Sequence, residues 1–335
     1  MKKFFYLAIF VLLLVSCSNG QKSEGYSIEG TVPADIVGKI YLQRFEDKHY
    51  TTVDSVEIAN GSFTFVGTVA EPMVYALVPS QKSQRALVFL DNYPLQITLD
   101  DDWEIKDLKG SENSELFYRL LPQSKQGILN IDSLVRNHPS SPVAAYFLTR
   151  ELYKYDYDAL KNIRSLFSDS LNNHPYIESI ERTLTSLEKV QPGKPAPNFT
   201  LPSVNGDSIS LSSLRGKYVL LDFWASWCPD CRKSNPQLVE LYQKYKDKNF
   251  TLLGVSIDEE PDRWKAAIEK DGLVWSQVID VKGWQSEVAK TYAVQWIPTG
   301  ILIDPQGIIL ARSTEPAGLE KELENVLKKF ETLKH

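Results

Sequence analysis

The chain reads as a C-terminal α/β domain preceded by a β-rich, sandwich-like domain and a helical connector. Three observations predict this. Short runs of alternating apolar and polar residues recur from Tyr26 to about Leu108, separated by turn residues. From about Ser111 to Val190 the apolar spacing becomes helical. Beyond the proline-rich stretch Gln191-Pro192-Gly193-Lys194-Pro195-Ala196-Pro197, strand-like and helix-like segments alternate, which implies a sheet covered on both faces. The expected divisions are a signal segment at 1–16, a tether at 17–25, the β-rich domain at 26–110, the connector at 111–190 and the α/β domain at 191–335.

The N-terminal segment has a secretory pattern. Lys2 and Lys3 precede an apolar run from Phe4 to Val15, too short to cross a bilayer but suited to a signal core. The run ends in Leu14-Val15-Ser16-Cys17, followed by polar Ser18-Asn19-Gly20. This resembles a bacterial lipobox, which implies cleavage before Cys17 and lipidation of its sulfur. Ser18 stands where an inner-membrane retention signal favours Asp. The resemblance therefore points to the cell envelope, with the chain lipid-anchored in the outer membrane and facing the periplasm. Several acyl chains make such an anchor stable.

In the β-rich region, Tyr26–Val32, Lys39–Phe45, Ser62–Val66 and Leu95–Leu99 alternate as strands. Asn60-Gly61, between the runs Asp54–Ile58 and Ser62–Val66, predicts a hairpin, since both residues tolerate positive φ. Closely spaced strands with turn signals suggest a small antiparallel sandwich. Asp100-Asp101-Asp102 reads as a solvated turn. Helices are expected over Ser114–Leu121, Val143–Tyr157 (opened by Ser140-Ser141-Pro142), Asp158–Asn172 and Pro175–Val190. The tyrosines of Tyr153-Lys154-Tyr155-Asp156-Tyr157 read as helix surface and packing. In the last domain a hairpin is expected around Asn205-Gly206, strands at Tyr218–Ala225, Thr251–Ile257, Gly300–Ile303 and Gly307–Ala311, and helices at Asp230–Asp247, Asp262–Lys270, Gln285–Tyr292 and Leu319–Leu333. Trp224, Trp264, Trp275, Trp284 and Trp296 read as core.

Composition narrows the function classes. A net charge of −6 over 335 residues, with no Lys/Arg block beyond the first residues, argues against a nucleic-acid partner. The four histidines are scattered, so no metal site is expected, and no motif calls for a cofactor. Of the three cysteines, Cys17 belongs to the processing signal. Cys228 and Cys231 remain as a Cys-x-x-Cys pair. A zinc ribbon needs a second ligand pair, and none follows. The pair sits between a strand and a helix, which places Cys228 at a helix N-terminus. Unpaired N–H groups and the helix dipole there stabilise a thiolate. Pro229 suits the first helical turn because it has no N–H to leave unpaired.

The stretches Gly193-Lys194-Pro195-Ala196-Pro197-Asn198-Phe199-Thr200-Leu201 and Leu214-Arg215-Gly216-Lys217-Tyr218-Val219-Leu220-Leu221-Asp222-Phe223-Trp224-Ala225-Ser226-Trp227-Cys228 resemble the thioredoxin superfamily. Within it they resemble TlpA/ResA-like membrane-associated thiol–disulfide oxidoreductases. Pro236 stands where that family kinks its active-site helix, and Ile297-Pro298-Thr299 resembles its cis-proline loop. Tyr26–Val190 resembles the β-rich domain of unknown function, plus helices, found ahead of TlpA-like domains in outer-membrane lipoproteins. The resemblance implies a thioredoxin-like fold for 191–335 and dithiol exchange with protein disulfide clients. It makes Cys228 the attacking thiolate, Cys231 the resolving thiol, and Asp222 a buried acid that shuttles a proton for Cys231. Trp227, Ile297 and Pro298 would face the client. An upstream membrane-bound thiol would supply electrons.

The chain departs from the family in two places. Pro229-Asp230 stands between the cysteines; the extra carboxylate disfavours the thiolate and pushes the couple towards the reducing side, with Arg232 and Lys233 as partial offsets. Ser234 stands where many TlpA/ResA-like proteins carry Glu, which weakens a link to cytochrome c maturation. Two alternatives remain open at this level. One is a client-binding adaptor in which the redox domain is secondary. The other is a thiol peroxidase, although Leu221 and Ala225 occupy the positions where peroxiredoxins place Pro and Thr/Ser.

Overall fold

The computed structural model describes residues 25–46, 49–81 and 83–332. The expected signal, Cys17 and most of the tether lie outside them. Two compact units are present. One comprises the described residues up to Arg44 with Thr52–Leu121, and the other Phe45–Thr51 with the chain from Pro122 onward.

The first unit carries β1 (Tyr26–Thr31), β2 (Lys39–Glu46), β3 (His49–Glu57), β4 (Ser62–Gly67), β5 (Met73–Pro79), β6 (Ala86–Leu90), β7 (Pro94–Leu99), β8 (Ile105–Lys109) and α1 (Glu112–Lys125). They form two four-stranded sheets, in the orders β4-β1-β7-β8 and β3-β2-β5-β6. The strands turn alternate apolar residues inward, and Ile28, Ile40, Leu42, Phe65, Val88 and Leu90 share one core. Burying a side chain of that size contributes about 1.5–3 kcal/mol. Trp103 is enclosed as well and donates its indole N–H to the Leu77 carbonyl at 2.7 Å. Asp100 organises the expected acidic turn by accepting from the N–H groups of Asp102 and Glu104.

Two expectations need correction in this unit. The sandwich is not wholly antiparallel, because β1 and β7 pair in parallel. Asn60-Gly61 does form a tight turn, with φ of 52° and 71° and two hydrogen bonds between Ala59 and Ser62. It does not close a hairpin, because β3 and β4 belong to different sheets. Turn chemistry fixes the local backbone but not the partner strand. Phe63 and Phe65 of β4 must reach the core, and pairing with β1 puts them there. Gly30 makes room: a Cβ on it would lie 2.0 Å from the Phe63 ring.

The second unit begins with α2 (Ile131–Asn137), α3 (Pro142–Glu151), α4 (Tyr157–Arg164) and α5 (Pro175–Lys189). Ser141 and His174 cap α3 and α5, each followed by a proline in the first turn. The helix expected to run to Tyr157 stops early. Asp156 takes an extended conformation and accepts from the Ala159 N–H at 2.8 Å, opening α4 instead. Tyr153 and Tyr155 therefore lie in a 3-10 turn and a linker rather than on a long helix face. The next expected helix ends at Arg164, with a 3-10 turn at Asp169–Leu171. α2, capped by Asn130, is a further short helix beyond the expected ones.

The same unit continues with β9 (Thr200–Pro202), β10 (Ser208–Ser210), β11 (Tyr218–Trp224), α6 (Pro229–Tyr245), β12 (Phe250–Ser256), α7 (Pro261–Asp271), β13 (Ser276–Ile279), α8 (Glu287–Thr291), β14 (Thr299–Ile303), β15 (Ile309–Ser313) and α9 (Glu320–Thr332). β9 and β10 form the expected hairpin. A five-stranded sheet has the order β13-β12-β11-β14-β15, with β11, β12 and β13 parallel and β14 antiparallel to both of its neighbours, β11 and β15. β11 is buried at every position, as a central strand covered on both faces must be. It delivers the chain to the cysteine pair at the start of α6. β13 was not read from the sequence. Among the described residues no helix is long and apolar enough to cross a membrane.

Candidate active site

Cys228 is the N-cap of α6, with Pro229 in the first turn. Its Sγ accepts from the Cys231 backbone N–H at 3.1 Å, and the two sulfurs are joined in a disulfide. One of the four N–H groups orphaned at a helix start is thus aimed at the sulfur. Cys228 is 5% exposed and Cys231 1%. Cys228 is the slightly less enclosed of the two, but neither is widely open to solvent. The neighbouring Trp227 is, at 49%, with its ring 6.3 Å from that of Trp284.

Asp222 lies in β11 and is fully enclosed, and neither carboxylate oxygen has a hydrogen-bond partner among the described residues. Desolvation pushes its carboxyl up from 3.8 to about 7. Asp222 is in register with Gly300 of β14, so the two share a sheet face. A Cβ on Gly300 would meet Pro316 and Leu319, in the 3-10 turn that packs against α6. The carboxyl therefore sits on the α6 side of the sheet, the side that carries the cysteines.

Ile297 and Pro298 reach the same place from the other direction. The Ile297–Pro298 peptide is cis, and the Ile297 carbonyl oxygen is 3.7 Å from Cys228 Sγ. Trp296 corrects an expectation. It is 43% exposed rather than core, because the loop turns it out beside Pro298. Trp284 is only half-buried, whereas Trp224, Trp264 and Trp275 are core as expected. An open groove of about 950 Å³ runs along α6 from Asp230, the residue before Cys231, and is lined by Asp230, Lys233, Trp296, Pro298, Glu315 and Pro316 among others; neither cysteine lines it.

Several supporting residues escaped the sequence reading. Buried Asp258 accepts from the Ser226 N–H at 2.8 Å, the Ser226 hydroxyl at 2.6 Å and the Ser256 hydroxyl at 2.7 Å, fixing the turn before Cys228. Arg232 donates to the Ser226 carbonyl and pairs through two nitrogens with Asp271, which also accepts from Asn235. Burial acts to raise the Asp271 carboxyl, but the hydrogen bonds from Arg232 and Asn235 outweigh it and hold the group below the usual carboxylate range. The charge of Arg232 is therefore committed to Asp271 and does not offset Asp230 as expected. Arg312 donates to the carbonyls of Tyr292 and Ala293, anchoring the segment that leads to Ile297-Pro298, and burial lowers its guanidinium to about 10. A basic residue within a short strand gives no sequence signal for such a task.

Residues 192–312 match the AhpC/TSA family and residues 26–117 match a domain of unknown function, DUF4369. The thiol-disulfide oxidoreductase ResA of Bacillus thuringiensis subsp. konkukian is 37% identical over 146 residues, covering 44% of this chain and 82% of that protein. ResA of Bacillus subtilis is 31% identical over 43% of this chain and 80% of its own length. A solved thiol-disulfide oxidoreductase from Bacteroides fragilis is 44% identical, covers 40% of this chain and 99% of its own, and superposes with a TM-score of 0.38.

Proposed function

Since the chain belongs to the ResA-like thiol–disulfide oxidoreductases, with a thioredoxin-like domain behind a β-rich domain of unknown function, we propose that it reduces client disulfides by dithiol exchange through Cys228 and Cys231. The observation that carries this reading is the helix N-terminus at the sulfur: the Cys231 N–H lies 3.1 Å from Cys228 Sγ, where a thiolate needs support. In the reduced enzyme the Cys228 thiolate attacks one client sulfur. An enzyme–client disulfide forms and the other client sulfur leaves as a thiolate. Cys231 then loses its proton, attacks Cys228 Sγ, and releases the second client thiolate. Two electrons pass to the client, whose two sulfurs take up the protons given up by the cysteines. The enzyme is left as the Cys228–Cys231 disulfide, and a thiol donor in the membrane returns it to the dithiol.

Asp222 is suited to take the Cys231 proton and pass it on. It is unpaired, lies on the same side of the sheet as α6, and half-ionises at about 7. Ile297 and Pro298 present backbone to an extended client, and Trp227 adds an apolar edge. Peroxide chemistry is less well served, because Leu221 and Ala225 are buried apolar residues with no hydroxyl to offer. The lipobox-like stretch at Cys17 places the enzyme, in this reading, on the outer membrane facing the periplasm. The N-terminal domain then serves as spacer or recognition module.

The test is a Cys231→Ser trap expressed in the native envelope. A client should be recovered bound to Cys228 and released by reductant. If nothing is trapped and the purified wild-type protein reduces no model disulfide, the reading is wrong.

A further inference from the structure

Trp296 stands at the rim of the groove, one residue before Ile297, whose carbonyl faces Cys228. A large aromatic side chain with so much of its surface exposed has many rotamers open to it unless something holds it. Tyr153 supplies the hold. Its ring stacks on the Trp296 indole, with centroids 5.0 Å apart and planes 25° from parallel. Tyr153 is itself fixed: the Lys154 ammonium lies over its ring at 5.6 Å, and Lys154 is paired with Glu151. A second tie joins the same two regions, where the Gln295 amide donates to the Thr183 hydroxyl of α5 at 3.3 Å. Residues 152–183 lie wholly outside the stretch that matches the AhpC/TSA family. The helical segment thus adds to the redox domain a side chain that sets one wall of its groove.

We propose that Tyr153 is a specificity-determining residue, which positions Trp296 so that the groove accepts an extended peptide segment flanking a client half-cystine. This rests on the reductase reading. The groove, at about 950 Å³, is far larger than a disulfide alone requires, and its lining mixes apolar Trp296, Pro298 and Pro316 with charged Asp230, Lys233 and Glu315. That is a surface for a peptide, not for a small apolar ligand. Tyr153 does not reach the reacting sulfurs and acts through Trp296 alone.

The experiment compares two oxidants of the pre-reduced, full-length protein in single turnover: a disulfide-linked pair of octapeptides and hydroxyethyl disulfide. The quantity read is the ratio of their second-order rate constants. Tyr153→Ala should lower that ratio by about fivefold or more, through weaker capture of the peptide. Tyr153→Phe, which keeps the stack, should restore it. Tyr153→Leu keeps apolar cover without the stack and gives the same readout if the alanine variant folds poorly. Adding Tyr153→Ala to Trp296→Ala should lower the ratio no further, since the two act as one unit. An unchanged ratio in the alanine and leucine variants overturns the proposal, as do additive losses in the double variant. Failure of the wild-type protein to reduce either disulfide would instead overturn the reductase reading.

Discussion

The Cys231 backbone N–H donates to Cys228 Sγ across 3.1 Å, so Cys231 supports the Cys228 sulfur through its main chain. The contact makes the two sulfurs unequal. After reduction, the N-cap sulfur keeps a helix-start donor, while Cys231 is one turn deeper and more enclosed. Substoichiometric iodoacetamide at neutral pH should therefore modify Cys228 ahead of Cys231 by about tenfold or more. Mass spectrometry of the derived peptides measures this, and equal labelling would remove the basis for assigning their roles.

Asp222 predicts a pH-dependent stability. Its carboxyl ionises near 3.8 when unfolded but near 7 in the folded chain. Between those values the unfolded state binds fewer protons, so stability falls as pH rises and levels off above about 7. The gap corresponds to an order of 4 kcal/mol. Asp222→Asn should therefore stabilise the protein at pH 8 and gain little at pH 4, as followed by urea denaturation. The same variant should slow reduction of a peptide disulfide by about a hundredfold if the carboxyl moves the Cys231 proton. A stability gain independent of pH would show that the group does not titrate in this range.

Asp271 has the opposite sign. Arg232 and Asn235 hold its carboxyl below the usual range, so it stabilises the fold at neutral pH, and that contribution is lost as pH falls through its depressed folded value. Asp271→Ala strands the Arg232 guanidinium at the base of α6 and should cost about 3 kcal/mol at pH 7. The deficit relative to wild type should shrink below about pH 4, where the carboxyl of the unfolded chain begins to protonate while the folded one is still ionised. Denaturant midpoints at the two pH values decide it.

The redox centre was readable because its chemistry is local. Cys-x-x-Cys with proline in the first helical turn, after a strand that is apolar but for Asp222, sets both the fold context and the candidate reacting atoms within a dozen residues. What supports the centre is long-range. Asp258 grips Ser226 from β12's exit, Arg312 holds a segment about twenty residues away, and Trp296 is turned outward to meet Tyr153. None of these partners is signalled by spacing. The misread turn at Asn60-Gly61 has the same origin, since positive φ specifies a reversal but not the sheet the next strand joins. The helix that opens at Pro142 stops short of Tyr157 because Asp156 caps the next one, and apolar spacing alone does not mark that break.

Gly254 offers a test of how tightly the floor of the site is packed. It is in register with Asp222 on one side and Gln277 on the other, and Gln277 lies across it so closely that a Cβ would fall 1.9 Å from Oε1. That oxygen accepts from the Trp224 indole N–H at 3.0 Å. An alanine at 254 must push Gln277 aside inside a closed core, which costs about 1–3 kcal/mol in overpacking and about 1 kcal/mol more for the lost indole bond. Gly254→Ala should thus lower stability by roughly 2–4 kcal/mol. Shortening the obstructing side chain should relieve it: Gly254→Ala combined with Gln277→Ala should be less destabilised than the sum of the two single changes. Simple additivity in urea denaturation would mean that Gln277 does not occupy the space above Gly254.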